Sequence, residues 1–497
     1  MTLLLILAAI VAVLAAVAVY DLAQRRHAVL RNFPVVGHLR FILERFGPEL
    51  RQYIVTSNDE ERPFSRDQRR WVYSTAKDEN SYFGFGTDNR FETDGHLFFR
   101  HAAFPARETT ADSVPAAKVL GAWRQRPEAF RPSSLTNISA MSFGSLSGPA
   151  VHALNSGAAL ARCLHNTGEG GISAHHRHGG ELVFQIGTGY FGARDDRGEF
   201  SLDVLKRSVD SAPVKAIEIK LSQGAKPGLG GVLPGEKVTS EISAARGVPV
   251  GITVRSPAYH SQFGDVPSMV AFVEALAEAT GLPVGIKSAV GEVAFWDELA
   301  RFMASTGTGP DFITVDGGEG GTGAAPLAFS DHVALPFREA FAVVFSAFAR
   351  VDLHNDVFFV GSGKLGFPAE AVLAMSMGVD MLGVAREAML AVGCIQAQRC
   401  HTGHCPTGVA TQSKWLMRGL DPTDKSARLA NYVTGMNSEI LKLAHAVGEQ
   451  HPGLVHPDTI AIRDGGRGLV SAAEMFGLDP AWYGDERRER LLASLAG

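Results

Sequence analysis

The sequence predicts an α/β protein built on a (β/α)8 TIM barrel, with an N-terminal transmembrane helix before it and a helical C-terminal extension after it. Three observations lead there. From about Thr136 onward, short β-branched apolar runs alternate with Ala- and Leu-rich helical stretches. The runs are nearly all apolar, as in strands covered on both faces. The unusual residues fall just after the runs, where a parallel barrel carries its chemistry.

The candidate strands are Leu135–Met141, Leu182–Ile186, Ala216–Leu221, Val248–Val254, Pro283–Ser288, Phe312–Val315, Val357–Val360 and Met381–Val384. Helical patterns between the later ones cover Val266–Thr280, Val290–Thr306, Phe337–Arg350 and Pro368–Met377. Such alternation implies parallel strands joined by crossovers, and eight units match a closed barrel. A doubly wound open sheet is the alternative, but no early G-x-G-x-x-G turn opens a helix after the first strand. The boundaries expected are an anchor over 1–24, a juxtamembrane and N-terminal extension over 25–120, the barrel over 121–423 and a helical tail over 424–497, led by Asp424–Val447.

The N-terminal expectation rests on Leu3 to Tyr20, an uncharged apolar run closed by Asp21. It is near the short end of the roughly 17–25 residues that span a bilayer. A cleaved signal peptide is the competing reading, and it needs a charged region before the apolar run. Arg25, Arg26 and His27 follow at once, which orients the remainder to the cytoplasmic side of the cell membrane as a single-pass protein. From Arg25 to about Arg70 the chain is rich in Arg and aromatic residues and includes the charged run Asn58 to Arg62. It reads as a partly helical segment near the anionic leaflet, or else as a solvated connector. The net charge of -5 gives no basic field, so nucleic acid is excluded as a partner.

Three of the four cysteines, Cys394, Cys400 and Cys405, fall within one short segment, while Cys163 sits alone in an Ala/Leu stretch and reads as core. A secreted disulfide scaffold would spread its cysteines. Three clustered thiols, the last followed by Pro406, suit an iron–sulfur cluster with one thiolate per iron. Zinc, with His401 or His404 as fourth ligand, is the rival.

At this point the sequence resembles a known family. Cys394–Gln412, with its run CHTGHCPTGVATQ from Cys400, resembles the three-iron four-sulfur (3Fe–4S) loop of glutamate synthase. Met141–Ser145 with Asn166–Gly171 (MSFGS, NTGEGG), then Gln223–Gly228 with Leu233–Val238 (QGAKPG, LPGEKV), then Gly320–Ala324 (GGTGA) match the same family in the same order. The whole most resembles the FMN-binding, synthase-domain-only members that carry an N-terminal hydrophobic segment.

The resemblance implies FMN at the top of the barrel. Met141 and Ser142 would lie beside its ring, and Lys287 would face the edge where reduced flavin gathers negative charge. Gly320, Gly321, Thr322 and Gly323, with Gly361, Gly363 and Gly383, would cradle its phosphate. The family's substrate, 2-oxoglutarate, would be held by Lys226 and Lys237. Glu169 would hold ammonia or the imino intermediate, and Gln185 would fix the 2-oxo group. The implied reaction is reductive amination to glutamate, with electrons reaching FMN through the cluster from an external donor such as ferredoxin or a NAD(P)H-oxidising partner.

No segment resembles the family's amidotransferase domain, so ammonia is expected free or from an amidotransferase partner. Leu229, Glu319 and Arg255 depart from the family pattern at the catalytic face, which puts the substrate in question more than the FMN. The alternatives are a membrane-linked FMN dehydrogenase of another amino acid or amine, and an electron-transfer subunit. The cationic and acidic residues of the mouth argue against the last. His175, His176 and His178 read as a polar loop rather than substrate contacts.

Overall fold

The structure is a computed structural model that describes residues 1–24, 27–55, 61–80, 82, 84–107 and 113–496. It divides into two compact units, Met1–Arg69 and Arg70–Gly497.

In the larger unit eight parallel strands close into a barrel. They are β1 (Thr136–Ile138), β2 (His165–Asn166), β3 (Leu182–Ile186), β4 (Val214–Lys220), β5 (Val284–Ser288), β6 (Phe312–Asp316), β7 (Phe358–Ser362) and β8 (Met381–Val384). β8 closes the ring on β1, with Leu382 opposite Thr136. Strands β3 and β5 to β8 are buried at every residue, because the barrel fills one face and crossover helices cover the other.

Seven of the eight predicted strands are found. Val248–Val254 is not a barrel strand. Gly247 ends the preceding helix in a left-handed turn at φ 63°, and Gly251 takes φ 74°. Val250 and Ile252 are exposed, which a barrel strand does not allow, and only Val254–Arg255 pairs, antiparallel, with Val232–Leu233. The missing member is β2, two polar residues long. Apolar patterning cannot detect it, because its length and chemistry are those of a loop.

The crossover helices start and stop where their sequences dictate. Ser147 Oγ accepts from Ala150 N at the start of Gly148–Ala161, with Pro149 in the first turn. Asp265 and Ser268 form a capping box on Val266–Thr280, which ends at Gly281. The predicted tail helix is Pro422–Ala446, capped by Asp421. It packs on Gly148–Ala161 and reaches the barrel through Asn437, whose side chain accepts from Thr136 N and donates to Ser134 Oγ. Beyond it, Ile460–Asp464 and Gly468–Ser471 form a hairpin that Leu97–Phe99 extends into a three-stranded antiparallel sheet. That sheet draws on a stretch that carries no sequence motif.

In the smaller unit, Thr2–Ala23 is one helix, long and apolar enough to cross a membrane. Ala28–Asn32 and Gly37–Leu50 follow. Arg25 and Arg26, which set the expected orientation, and residues 56–60, which hold much of the charged run from Asn58, lie outside the described residues.

The contact between Gly148–Ala161 and Pro422–Ala446 depends on Gly157. A Cβ there would stand 2.8 Å from the Ser426 carbonyl oxygen and from Leu429 Cβ. Gly157→Val is expected to destabilise the barrel unit by about 1–3 kcal/mol, as overpacked cores do. Denaturant unfolding should show a lower midpoint at unchanged slope. An unshifted midpoint would mean the two helices separate freely.

Candidate active site

The barrel interior is polar below its open end. Glu218 of β4 is 3% exposed, and its carboxylate is fully engaged. Asn166 Nδ2 of β2 donates to it at 2.8 Å, Gln185 Nε2 of β3 at 2.7 Å and Thr314 Oγ1 of β6 at 2.6 Å. A charge in the core is tolerated only with such partners. Gln185, expected on a substrate's 2-oxo group, therefore spends its amide N–H on Glu218.

Strand period carries the next step. Two residues on from Glu218, Lys220 projects to the same face but at the mouth. Its ammonium lies 3.1 Å from Glu169 Oε1 and donates to Gln223 Oε1 at 2.6 Å. His260 Nε2 donates to the Lys220 carbonyl at 2.9 Å, with Tyr190 hydroxyl 3.0 Å from its other ring nitrogen, fixing the strand end. Burial presses the Glu169 carboxyl upward, but Lys220, Lys226 and Arg246 outweigh it and hold it below its ordinary range. Burial and the neighbouring Lys220 in turn pull the Lys226 ammonium down, with Glu169 opposing them. Gly187 leaves room for the acid, since a Cβ there would stand 2.5 Å from Glu169 Oε2.

Arg246, from the end of helix Ser240–Arg246, reaches across to the loop after β1. Its Nη2 donates to the Phe143 carbonyl at 3.1 Å and to Ser142 Oγ at 3.4 Å. Gly168, at φ 64°, lies against Met141 and Ser142, so the two loops expected at a flavin ring and at the substrate touch. Lys287 of β5 is 5% exposed, with Nζ 3.5 Å from Ser139 Oγ and 3.7 Å from Asp316 Oδ2. Asp316 also accepts from Gly224 N at 2.9 Å, tying the β4 loop to β6.

The glycines of the opposite rim stand close together. Gly363 takes φ 120°, and a Cβ on it would be 3.0 Å from Gly317 N. Gly383 faces Ser139, and Gly321 packs on Arg386, which follows β8. Thr322 is half-buried in the same loop, between the exposed Gly321 and Gly323.

Two expectations are met differently. Lys237 does not join Lys226, since its ammonium donates to the Cys400 carbonyl at 3.4 Å. Among the described residues, no three His, Cys, Asp or Glu side chains stand close enough together to hold a metal ion. Cys394, Cys400 and Cys405 are therefore not assembled as a ligand set. Gln396 N donates to Cys394 Sγ at 3.4 Å, and Cys405 Sγ lies 3.5 Å from Thr407 Oγ1. Burial pushes the Cys400 thiol up, whereas backbone N–H groups of Ala410, Thr407 and Val409 outweigh burial at Cys405 and lower it. Cys163 is core, its thiol pushed up to about 12 by burial.

Of the departures from the family pattern, Leu229 and Arg255 are exposed. Glu319 turns away from the mouth, and its carboxylate accepts from Phe337 N at 2.8 Å, at the start of Phe337–Ala349. His176 is buried in a cap with Ser173, and His178 stacks on His152.

Sequence reasoning missed Lys220, Arg246 and Arg386. Lys220 was detectable from its phase with Glu218 along β4, and Arg386 from its place directly after β8. Nothing in the sequence marks Arg246, whose distance from the first loop closes only through folding.

The fold and site define a parallel β/α barrel with an acid-and-cation cluster at its mouth and a buried lysine on the neighbouring strand. The chain belongs to the glutamate synthase family: the conserved region of glutamate synthase matches residues 121–450. It is 37% identical to the glutamate synthase large subunit-like protein YerD of Bacillus subtilis, over 87% of this chain and 89% of that one. It is also 37% identical to the archaeal glutamate synthase (NADPH) of Methanocaldococcus jannaschii, over 63% of this chain but only 58% of that protein. Among solved structures, a mandelate oxidase aligns with TM-score 0.43 and 17% identity, over 72% of this chain and 85% of that one.

The Glu169–Lys220 pair makes a pH signature. A depressed carboxyl stabilises the fold above its ordinary value of 4.5, and that contribution is lost as pH falls through the lower folded value. Lys220→Met removes the nearest cation, so the loss should begin at higher pH. Thermal melts from neutral to acid pH read the difference, and parallel curves for the two proteins would contradict the assigned pairing.

Proposed function

We propose that this protein binds FMN at the open end of the barrel and reductively aminates 2-oxoglutarate to glutamate. Ammonia would be free or partner-supplied, and electrons would come from an external donor such as ferredoxin or a NAD(P)H-oxidising partner. The observation that carries the reading is the cluster of Lys220, Lys226 and Arg246 around Glu169, with the buried Lys287 opposite Lys220 on the neighbouring strand. A dicarboxylate needs fixed cations at a partly dry site, and a catalytic acid–base group needs a controlled charge.

The residues present fit FMN. Lys287 supplies a buried cation whose partners, Ser139 and Asp316, leave it at longer than ideal hydrogen-bond distance. Gly361, Gly363, Gly383, Gly320, Gly321 and Gly323 supply side-chain-free backbone for a phosphate, with Arg386 as counter-charge. When bound, FMN would supply hydride to the substrate carbon.

Lys220 and Lys226 bind and orient the carboxylates. Glu169, kept ionised by those lysines, accepts hydrogen bonds from ammonia or an imino nitrogen. Arg246 braces the Met141–Ser142 turn. The cysteine loop is given no step, because its thiols do not stand together as a ligand set.

A second reading, a membrane-linked FMN dehydrogenase of another amino acid or amine, is favoured by the Thr2–Ala23 helix. In either reading that helix is proposed as a single-pass anchor with the barrel on the cytoplasmic side.

Anaerobically purified protein should carry a flavin absorption spectrum, and Lys287→Met should lose the flavin or shift its redox behaviour. Reduced protein should be reoxidised by 2-oxoglutarate with ammonia, and Lys220→Met should lower kcat/KM by about 100-fold. Bleaching of the oxidised flavin by an amine, with no response to 2-oxoglutarate, would decide for the second reading. Protein without flavin would end both.

A further inference from the structure

We infer that helix Gly37–Leu50 is a lipid-binding element that lies in the membrane–water interface, set at that depth by Asp21. The inference rests on the reading of Thr2–Ala23 as an anchor, and the evidence for it lies wholly within Met1–Arg69.

Leu39, Ile42, Leu43, Phe46 and Leu50 recur at helical spacing and form one stripe, and all five are exposed. Phe46 is 56% exposed and Leu39 the same. An apolar stripe of this kind in water lacks a partner. Arg40 and Glu44 pair at 2.8 Å on the opposite face. Across residues 27–55 the charged side chains are Arg31, Arg40, Arg45 and Arg51 against Glu44 and Glu49, a cationic balance suited to anionic headgroups.

Depth is what singles out a bilayer as the occupant. Asp21 is a carboxylate near the end of the apolar helix, and it is fully buried. Its oxygens accept from Val35 N at 2.9 Å and from His38 Nε2 at 3.0 Å. Val35 takes a left-handed φ of 63°, which a β-branched residue seldom adopts, and its N–H is thereby brought to Asp21. Gly37 lets the turn close, since a Cβ there would stand 3.1 Å from Leu30 Cδ2. The second residue of the amphipathic helix is thus bonded to the last turn of the apolar one. If the apolar helix spans the bilayer, Gly37–Leu50 begins at headgroup level, where a helix with one apolar face and arginines lies flat.

The test uses the full chain in vesicles of phosphatidylcholine and phosphatidylglycerol. A benzophenone side chain is introduced in place of Leu43, in the stripe, or of Glu44, on the opposite face. Illumination should give about tenfold more acyl-chain adduct from position 43 than from 44, and Phe46→Glu should reduce the adduct at 43. Adducts to a second copy of the chain, or to residues of the barrel unit, would overturn the inference in favour of a protein occupant. Equal lipid labelling at the two positions, or none, would overturn it as well. Alkaline carbonate extraction of the unaltered chain tests the anchor separately. A chain that carbonate strips from vesicles has lost the anchor reading, while the labelling of vesicle-bound protein still decides the helix.

Discussion

A single buried carboxylate organises the barrel. Glu218 receives hydrogen bonds from three other strands, and none of its donors is dispensable in a medium without water. The network fixes the register of β4 against β2, β3 and β6. Because side chains alternate along a strand, fixing Glu218 also fixes Lys220, and through Lys220 the position of Glu169. A satisfied polar layer below therefore determines the charge pattern above.

The barrel was legible because its strands are buried on both faces and its helices carry strong caps. Where legibility failed, the cause is local. His165–Asn166 is a strand only because its neighbours hold it: Asn166 is drawn in by Glu218, and His165 pairs with Ile138 and Leu182. Val248–Val254 has strand composition, but Pro249 and two glycines in left-handed turns deny it a continuous ladder. At the site, the family motifs located the right loops but not always the right side-chain directions. Lys226 is near enough to act on the Glu169 charge, whereas Lys237 in the same run of motifs is turned to the Cys400 carbonyl.

Glu319 illustrates how a departure from a family pattern is neutralised by orientation. Its carboxylate stands where backbone N–H groups of a helix start need an acceptor, and burial raises its pKa there. The carboxylate is thereby engaged by the scaffold at the start of Phe337–Ala349. The exposed Arg255 is paired in the antiparallel ribbon formed by Val232–Leu233 and Val254–Arg255, and the exposed Leu229 lies in the loop just before it.

The segment after the cysteines is stitched to the first loop of the barrel. Gln412 Nε2 donates to the carbonyls of Gly144 and Leu146, and Ser147 N donates to Val409 O. These bonds tie two segments far apart in sequence into one piece of the barrel's rim, so a displacement of either is transmitted to the other.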